Sequence, residues 1–240
     1  MLAPPRHSAR WDSPIILDPY SPGRRRIESG SRRGATVDDG AMTDTYGIRR
    51  ATPDDLPAIY GLIGTAATWL QEYKNTDQWA RPWPNRRARD ARVRQGVRNG
   101  LTWMVENREG VVVATVTCRE HGNNKLWTKQ ELAQPAAYVS RLIVSREHSG
   151  EGIGAALIDW AGLLGVGGWT AEWIRVDVWT TNLALHDYYK GRGFEHLRTL
   201  QFKDYWEYPS AALFQKPTAE VDVDAAARFK LEEGPHGKVK

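Results

Sequence analysis

The sequence predicts an α+β fold in which helices pack on a mixed sheet. Apolar residues recur at helical spacing in some segments and gather in short β-rich runs in others, without an internal repeat. In chain order the segments read α–α–β–β–β–turn–α–β–α–β–β. No apolar run approaches the ~20 residues that a membrane span needs, so no membrane partner is expected.

The first helix begins in "ATPDDLPAIYGLIGTAATWL". Thr52 is the expected N-cap, Pro53 the first helical residue, and Asp55 the acid three positions after the cap. An arginine-rich segment from about Asn85 predicts a second helix. The first helix is amphipathic because apolar residues recur at helical spacing: Leu56, Ile59, Tyr60, Ile63, Ala67 and Leu70.

Three strands follow. "LTWMVENREGVVVATVTC" contains two β-rich runs, and residues 107–110 between them predict a hairpin. Cys118, at the end of this segment, is expected to be inert core because no histidine motif accompanies it. The third strand, "AAYVSRLIV", runs directly into a turn that contains Gly150, Gly152 and Gly154.

The helix after this turn is expected to start near Gly152 and to end between Gly165 and Gly168. "AEWIRVDVW" is then a strand, and "NLALHDYYKGR" is a helix. The stretch from Phe194 to about Phe214 holds two further strands.

Composition divides the chain into three parts. Residues 1–45 are rich in Pro, Gly, Ser and Arg, which predicts a disordered basic extension without a secretory signal. Residues 46–216 form the predicted domain, and residues 217–240 a polar tail in which "VDAAARFKLEE" has the pattern of a short helix. One cysteine in 240 residues leaves no internal disulfide, so a cytoplasmic location is expected.

The net charge is +4, and seven arginines lie between Arg81 and Arg98 against one acid, Asp90. Such a run is typical of a solvated helix face. It is also typical of a surface that attracts an anion, from a nucleotide phosphate to RNA.

The glycine turn has the composition of a phosphate cradle. A Walker loop is excluded because no Gly-Lys-Ser/Thr follows. A dinucleotide fingerprint fits Gly150-x-Gly152-x-x-Ala155, with Asp177 as the ribose-binding acid, but the chain after it is too short for the required parallel strands. A third interpretation is a site for acyl-coenzyme A (acyl-CoA), which depends on a family resemblance.

Two sequence motifs carry a family resemblance. Residues 149–154, Ser-Gly-Glu-Gly-Ile-Gly, resemble the [Gln/Arg]-x-x-Gly-x-[Gly/Ala] signature of the GCN5-related N-acetyltransferase (GNAT) superfamily, although Ser149 departs from Gln or Arg. "NLALHDYYKGRGF" resembles the family's Asn-x-x-Ala…Tyr-x-x-x-Gly-Phe, with Asn182, Tyr189, Gly193 and Phe194 in the matching places. The resemblance covers roughly residues 46–214.

The resemblance implies a mostly antiparallel sheet with a V-shaped splay between the strand before the turn and the next strand. It also implies acetyl-CoA as co-substrate and no metal. The pantetheine arm would pair with the backbone of Leu142, Ile143 and Val144. Asn182 would hydrogen-bond near the pantetheine arm or the turn, or would cap the helix that follows Asn182. The turn residues would hold the pyrophosphate: Ser149, Gly150, Glu151, Gly152, Ile153, Gly154 and Ala155.

Tyr189 is the predicted general acid, because the family phrase places it near the thioester sulfur and a phenol stays protonated at neutral pH. Its neighbour Tyr188 is expected to point elsewhere on the helix. No base is assigned: the family's glutamate position holds Tyr138, and Glu120, His121 and Glu131 are candidates only.

The acceptor site is expected beside "WLQEYKNTDQWARPWP", where aromatic residues suit a partly apolar amine. Glu72 or Asp77 would hold a cationic substrate. The aromatic wall includes Trp69 and Tyr73, and its predicted substrate contacts are Trp79, Trp83, Trp127 and Tyr138.

The predicted activity is acetyl transfer from acetyl-CoA to the primary amine of a small molecule. Two alternatives stay open. The chain could acetylate aminoacyl-tRNA, with its arginines on the phosphates, or it could be a non-catalytic acyl-CoA sensor. Oligomeric state is open as well, with a homodimer as one option.

Overall fold

The computed structural model describes residues 45–164, 170–202 and 208–232. Its strands are β1 (Tyr46–Arg50), β2 (Thr102–Glu106), β3 (Val112–Arg119), β4 (Ala136–Val144), β5 (Trp173–Val178), β6 (Glu195–Thr199), β7 (Ala212–Pro217) and β8 (Phe229–Leu231). Its helices are α1 (Leu56–Lys74), α2 (Arg86–Arg98), α3 (Lys129–Leu132), α4 (Ile153–Leu164), α5 (Leu183–Lys190) and α6 (Val223–Ala226).

The strands form one sheet in the order β6-β7-β5-β4-β3-β2-β1-β8. Among the described strands, β4–β5 and β1–β8 are the parallel pairs and the other pairs are antiparallel, which confirms the mixed, mostly antiparallel sheet. Helices α1 and α2 cover one face through a cluster that includes Ile63 and Val93. Helices α4 and α5 cover the other face through Leu157 and Leu185.

β4 and β5 pair only at their beginnings. Residues 136–138 of β4 lie opposite residues 173–175 of β5, and no partners follow, although β4 continues to Val144 and β5 to Val178. The two strands therefore diverge toward their carboxyl ends. This gap, here called the opening, is the V-shaped splay that the resemblance implies.

A β-bulge in β4 lies beside the opening. The register with β3 shifts between Thr115 and Thr117, which pair with Ile143 and Ser140, so β4 carries one extra residue. Arg141 lies in this stretch with a φ of 47°. Because a bulge bends its strand and increases the local twist, it helps β4 to turn away from β5.

The hairpin is confirmed, and the start of the first helix is confirmed in part. Thr52 is the N-cap of a 3₁₀ turn, Pro53–Asp55, and its N–H donates to the Asp55 carboxylate at 2.7 Å. α1 itself begins three residues later than predicted, at Leu56, with Asp55 as its N-cap. The hairpin joins β2 and β3 at the predicted residues 107–110.

The sequence analysis missed β1, α3 and β8, and it ended the domain too early. β8 lies within the predicted polar tail, yet it pairs in parallel with β1. Ala226 of α6 and Phe229 of β8 are buried in the main core. Residues 217–232 therefore belong to the folded unit, and the boundary at residue 216 is wrong.

Several predictions fall outside the described residues: the extension of residues 1–44, the end of the helix after Leu164, and residues 233–240. Within the described part of the chain, no helix is both long and apolar enough to cross a membrane. Cys118 is buried, and burial raises the pKa of its thiol to about 12, so it is not a nucleophile at neutral pH.

Candidate active site

The glycine turn follows β4 at the open end of the splay. A 3₁₀ turn at residues 146–148 leads to Gly150 and Gly152, whose φ values of 92° and 74° lie in the left-handed region that favours glycine. The Ala156 N–H closes the first helical bond on the Gly152 carbonyl. The N–H groups just before Ala156 start α4 without a carbonyl partner inside the helix, which is the usual arrangement of an anion site.

An open pocket lies over this turn. Two arginines, Arg146 and Arg192, stand in its wall, and the Arg146 guanidinium lies 3.8 Å from the centre of the Trp69 ring. This glycine-turn pocket combines the N–H groups at the start of α4 with cations, so it suits a phosphate-bearing ligand. Its lining includes Ala66, Trp69, Val144, Ser145, Arg146, His148, Ser149, Gly150, Gly152, Ile153, Gly154, Ala155, Tyr188 and Arg192.

Most of the predicted turn residues line this pocket, but Glu151 does not. Its carboxylate accepts hydrogen bonds from the Tyr46 hydroxyl at 2.9 Å and pairs with the His148 ring at 3.1 Å. Leu142 and Ile143 lie on the unpaired half of β4, and their side chains are buried on opposite faces of the sheet. The β4 backbone is therefore what they can offer at the opening.

Asn182 has two bonds within the protein. Its Oδ1 accepts from the Leu185 N–H at 3.1 Å and caps α5, and its Nδ2 donates to Gln78 Oε1 at 2.6 Å. Gln78 is itself fully buried in the connection between α1 and α2. Asn182 therefore fastens this connection to α5, while its contact with the pantetheine arm stays a prediction.

The adjacent tyrosines of α5 point in different directions, as expected. Tyr188 is half-buried and lines the glycine-turn pocket. Tyr189 is fully buried beside Phe194 and Phe214, and its hydroxyl has no hydrogen-bond partner among the described residues. Burial is the largest cause that raises the Tyr189 pKa well above its usual value, and the charges of Tyr188 and Asp177 add to it.

The predicted substrate residues line two neighbouring pockets on the α1–α2 face of the sheet. The indole pocket holds Trp79 and Trp83 together with Trp179, Tyr208 and the guanidinium groups of Arg81, Arg89 and Arg92. The second pocket is called the Asp177 pocket. Its lining is Arg119, His121, Gly122, Asn123, Trp127, Tyr138, Val139, Ser140 and Asp177.

One hydrogen bond joins the two pockets: the Tyr208 hydroxyl donates to Asp177 Oδ2 at 2.7 Å. In the Asp177 pocket, the Trp127 and Tyr138 rings meet edge to face with their centres 5.5 Å apart. The Tyr138 hydroxyl accepts from the buried Arg175 at 3.1 Å, and burial raises the Tyr138 pKa. Tyr138 is thus a neutral wall residue rather than a base.

The other candidates for the general base differ in pKa and in position. Glu131 binds Arg198 at 2.6 Å, and these hydrogen bonds lower its pKa to about 2, so it cannot act as a base near neutral pH. Glu120 is exposed, whereas His121 lines the Asp177 pocket.

The predicted cation-binding acids are also placed. Glu72 is exposed on α1, and Asp77 accepts from the Trp179 indole at 3.0 Å and pairs with Arg81. Trp69 lines the glycine-turn pocket rather than the acceptor side, and Tyr73 stacks on it from the surface.

Sequence reasoning missed Asp177, Asn123, Tyr208 and Trp179 as site residues. Alternation along "WIRVDV" does mark Asp177 as facing away from the core residues Val176 and Val178. Tyr208 carries no local signal, because its place depends on contacts with distant strands.

A sheet that opens at a glycine turn, with pockets at the opening, defines the N-acetyltransferase type of α+β protein. Residues 66–194 match the model of the Acetyltransferase (GNAT) family, and the chain belongs to that family. It is therefore an acyltransferase, and the acyl donor of its family is acetyl-CoA.

The chain is similar to the uncharacterized N-acetyltransferase YesJ of Bacillus subtilis, with 24% identity over 163 residues that cover 67% of this chain and 88% of YesJ. A GNAT-family acetyltransferase from Listeria monocytogenes aligns with a TM-score of 0.55 and 25% identity, over 72% of this chain and 94% of that one. One from Streptococcus agalactiae aligns with a TM-score of 0.52 and 17% identity, over 72% and 95% of the two chains, and shows the fold alone.

Proposed function

We propose that the protein transfers the acetyl group of acetyl-CoA to the primary amine of a small, partly apolar molecule. One observation carries the proposal: the glycine turn lies at the end of the half of β4 that has no β5 partner. A phosphate held at the turn leaves the unpaired strand edge for the rest of the same ligand.

The donor side is supported by groups suited to each part of the coenzyme. The N–H groups at the start of α4 would hold the pyrophosphate, and Arg146 and Arg192 would add positive charge. The β4 backbone at residues 142–144 would pair with the pantetheine arm. Acetyl-CoA supplies the acetyl group in activated form, as a thioester.

Tyr189 is the proposed general acid. Its buried hydroxyl lacks a partner among the described residues, and such a group costs about 1–3 kcal/mol unless a ligand satisfies it. Because burial raises its pKa, Tyr189 keeps its proton until the sulfur of the donor departs. This hydroxyl therefore serves as a proton source at neutral pH.

The acceptor side is supported by the aromatic pockets. Trp79, Trp83 and Trp179 offer apolar surface, and the Asp177 pocket adds polar groups. A small amine with an apolar body matches this combination better than a highly hydrated one does.

The test is release of free thiol from acetyl-CoA across a panel of small primary amines, with the product identified by mass spectrometry. The expected result is thiol release that depends on an amine and yields the N-acetyl product. Longer acyl-CoA donors in the same assay define the acyl group.

Tight acetyl-CoA binding without thiol release from any amine would contradict the proposal and favour a sensor. RNA binding that weakens steeply with added salt, together with acetylation of aminoacyl-tRNA, would favour the RNA alternative instead.

A further inference from the structure

Asp177 lies where β4 and β5 separate. Along β5, Ile174, Val176 and Val178 face the main core, so Arg175 and Asp177 project from the opposite face. Arg175 is opposite Tyr138 in the last pair of the two strands, which places Asp177 two residues into the opening. Its carboxylate therefore lines the Asp177 pocket across the opening from β4.

The same pocket contains a buried donor. Asn123 is only 6% exposed, and its Nδ2 has no hydrogen-bond partner among the described residues. Its Oδ1 accepts from the Lys125 N–H at 2.9 Å, which fixes the orientation of the amide. A buried amide donor left unsatisfied is costly, so it indicates a ligand that carries an acceptor oxygen.

We propose that the acceptor binds in the Asp177 pocket, with its amine at the Asp177 carboxylate and an oxygen of the same molecule at Asn123 Nδ2. This inference rests on the proposed acetyltransferase function and narrows its substrate class. The acceptor is a small primary amine with a nearby hydroxyl, carbonyl or carboxylate oxygen. The indole pocket, one hydrogen bond away through Tyr208, receives its apolar part.

The proton balance follows from this placement. An amine that arrives as an ammonium gives one proton to Asp177, which releases it to water, and the neutral nitrogen then forms the new N–C bond. The bond between carbon and sulfur breaks, and Tyr189 protonates the sulfur. The second proton of the nitrogen restores Tyr189. The products are the N-acetyl compound, free coenzyme A thiol and one proton in solution.

The position of Asp177 relative to Tyr189 supports these roles. Tyr189 belongs to the core cluster on the α4–α5 face, whereas Asp177 lines a pocket on the other face. Its charge nevertheless reaches Tyr189 and contributes to the raised pKa of the phenol. The carboxylate and the phenol thus lie on opposite faces of the sheet, close enough for the charge of one to raise the pKa of the other.

The decisive variant is Asp177→Asn, which preserves size and removes the charge. At pH 7 we expect kcat/KM for the amine to fall on the order of 10²-fold, while KM for acetyl-CoA changes less than about threefold. The loss should shrink as the pH approaches the pKa of the amine, because neutral amine is then supplied by solution. Arg119, His121 and Tyr138 share the pocket with Asp177, and Tyr208 donates a hydrogen bond to it. Arg175 lies two residues earlier on the same face of β5, and Tyr189 senses the charge from the other face of the sheet.

Tyr208→Phe is the matched control, since it removes the hydrogen bond to Asp177 and leaves the carboxylate. If Asp177 mattered only through that bond, both variants would lose the same activity and neither would recover at high pH. We expect Tyr208→Phe to lose much less. Asn123→Ala should raise KM for an amino alcohol and leave KM for the alkylamine of equal length nearly unchanged.

The outcomes separate the two proposals. Absence of thiol release by the parent enzyme with every amine would remove the acetyltransferase proposal itself. An active parent and an Asp177→Asn variant with kcat/KM within threefold at pH 7 would overturn the role of Asp177 alone.

If Asp177→Asn does not fold, the inference is tested by calorimetry, which measures amine binding to the parent enzyme with coenzyme A bound. An analogue with a methyl group in place of the ammonium should bind at least about tenfold more weakly than the amine. Equal affinities would overturn the inference.

Discussion

Replacement of Tyr189 by Phe should change stability and catalysis in opposite directions. The variant deletes one hydroxyl and leaves a ring whose centre lies 5.1 Å from that of Phe194. The deleted oxygen is buried without a partner among the described residues. Since an unsatisfied buried hydroxyl costs about 1–3 kcal/mol, its removal should stabilise the free protein by about 1 kcal/mol. For a domain of this size, that raises Tm by about 2–4 °C.

Catalysis should weaken in the same variant. If Tyr189 protonates the departing sulfur, the chemical step should slow on the order of 10²-fold with little change in donor affinity. Single-turnover kinetics with saturating acetyl-CoA isolates this step from product release. Because the pKa of Tyr189 is raised, the parent should show no loss of rate from Tyr189 between pH 7 and about pH 9.5.

Tyr188→Phe is the control, because the same atom is removed one position away. Tyr188 lines the glycine-turn pocket, so its loss should weaken donor binding and spare the chemical step. A Tyr189→Phe variant that is destabilised and reacts at the parental rate would refute the reasoning. A large rate loss confined to Tyr188→Phe would assign the acid to the other tyrosine.

Three further outcomes are expected. Gly152→Val should abolish acetyl-CoA binding in calorimetry, because a side chain is strained at a φ of 74° and would distort the turn that the proposed phosphate site needs. NADH should not bind the parent, and tight NADH binding would contradict the site. Glu131→Gln should lower the free energy of unfolding at pH 7 by about 2 kcal/mol, a value reduced for the partial exposure of Arg198. Because the pKa of Glu131 is lowered to about 2, the difference in stability between parent and variant, measured by urea unfolding, should disappear as the pH falls from about 4.5 toward 2. Asp159→Asn should lower the free energy of unfolding by about 3 kcal/mol in the same assay, because it removes the negative charge that binds the buried Lys216 ammonium at 3.1 Å. An unchanged unfolding midpoint would show that the ion pair does not stabilise the fold.

The sequence predicted the elements whose signals are local. The capping residues before α1, the hairpin at residues 107–110 and the glycine turn each lie within a few positions of the structure that they specify. Strands β1 and β8 lack such signals, because "YGIRR" contains two arginines and β8 spans only three residues. Their parallel pairing joins segments from opposite ends of the domain, which no local pattern encodes.

The candidate site also has a part with a local sequence signal and a part without one. The resemblance predicted the donor side, because the glycine turn and the residues proposed to bind there are contiguous in sequence. The pockets of the proposed acceptor side are assembled from the α1–α2 connection, the loop after β3, the end of β5 and the segment before β7. Asp177 could be assigned to a face from the alternation of β5, but its importance depends on where the β4–β5 pairing stops.

The sheet separates the proposed acid from the proposed acceptor carboxylate. On the same face, a phenol would donate its hydrogen bond to the carboxylate, as Tyr208 does, instead of to the departing sulfur. Here the sheet separates them, since Tyr189 lies within the α4–α5 core and Asp177 lines a pocket on the α1–α2 face. Burial and the charge of Asp177 raise the pKa of Tyr189, so the proposed acid would stay protonated until the proposed base takes a proton from the amine.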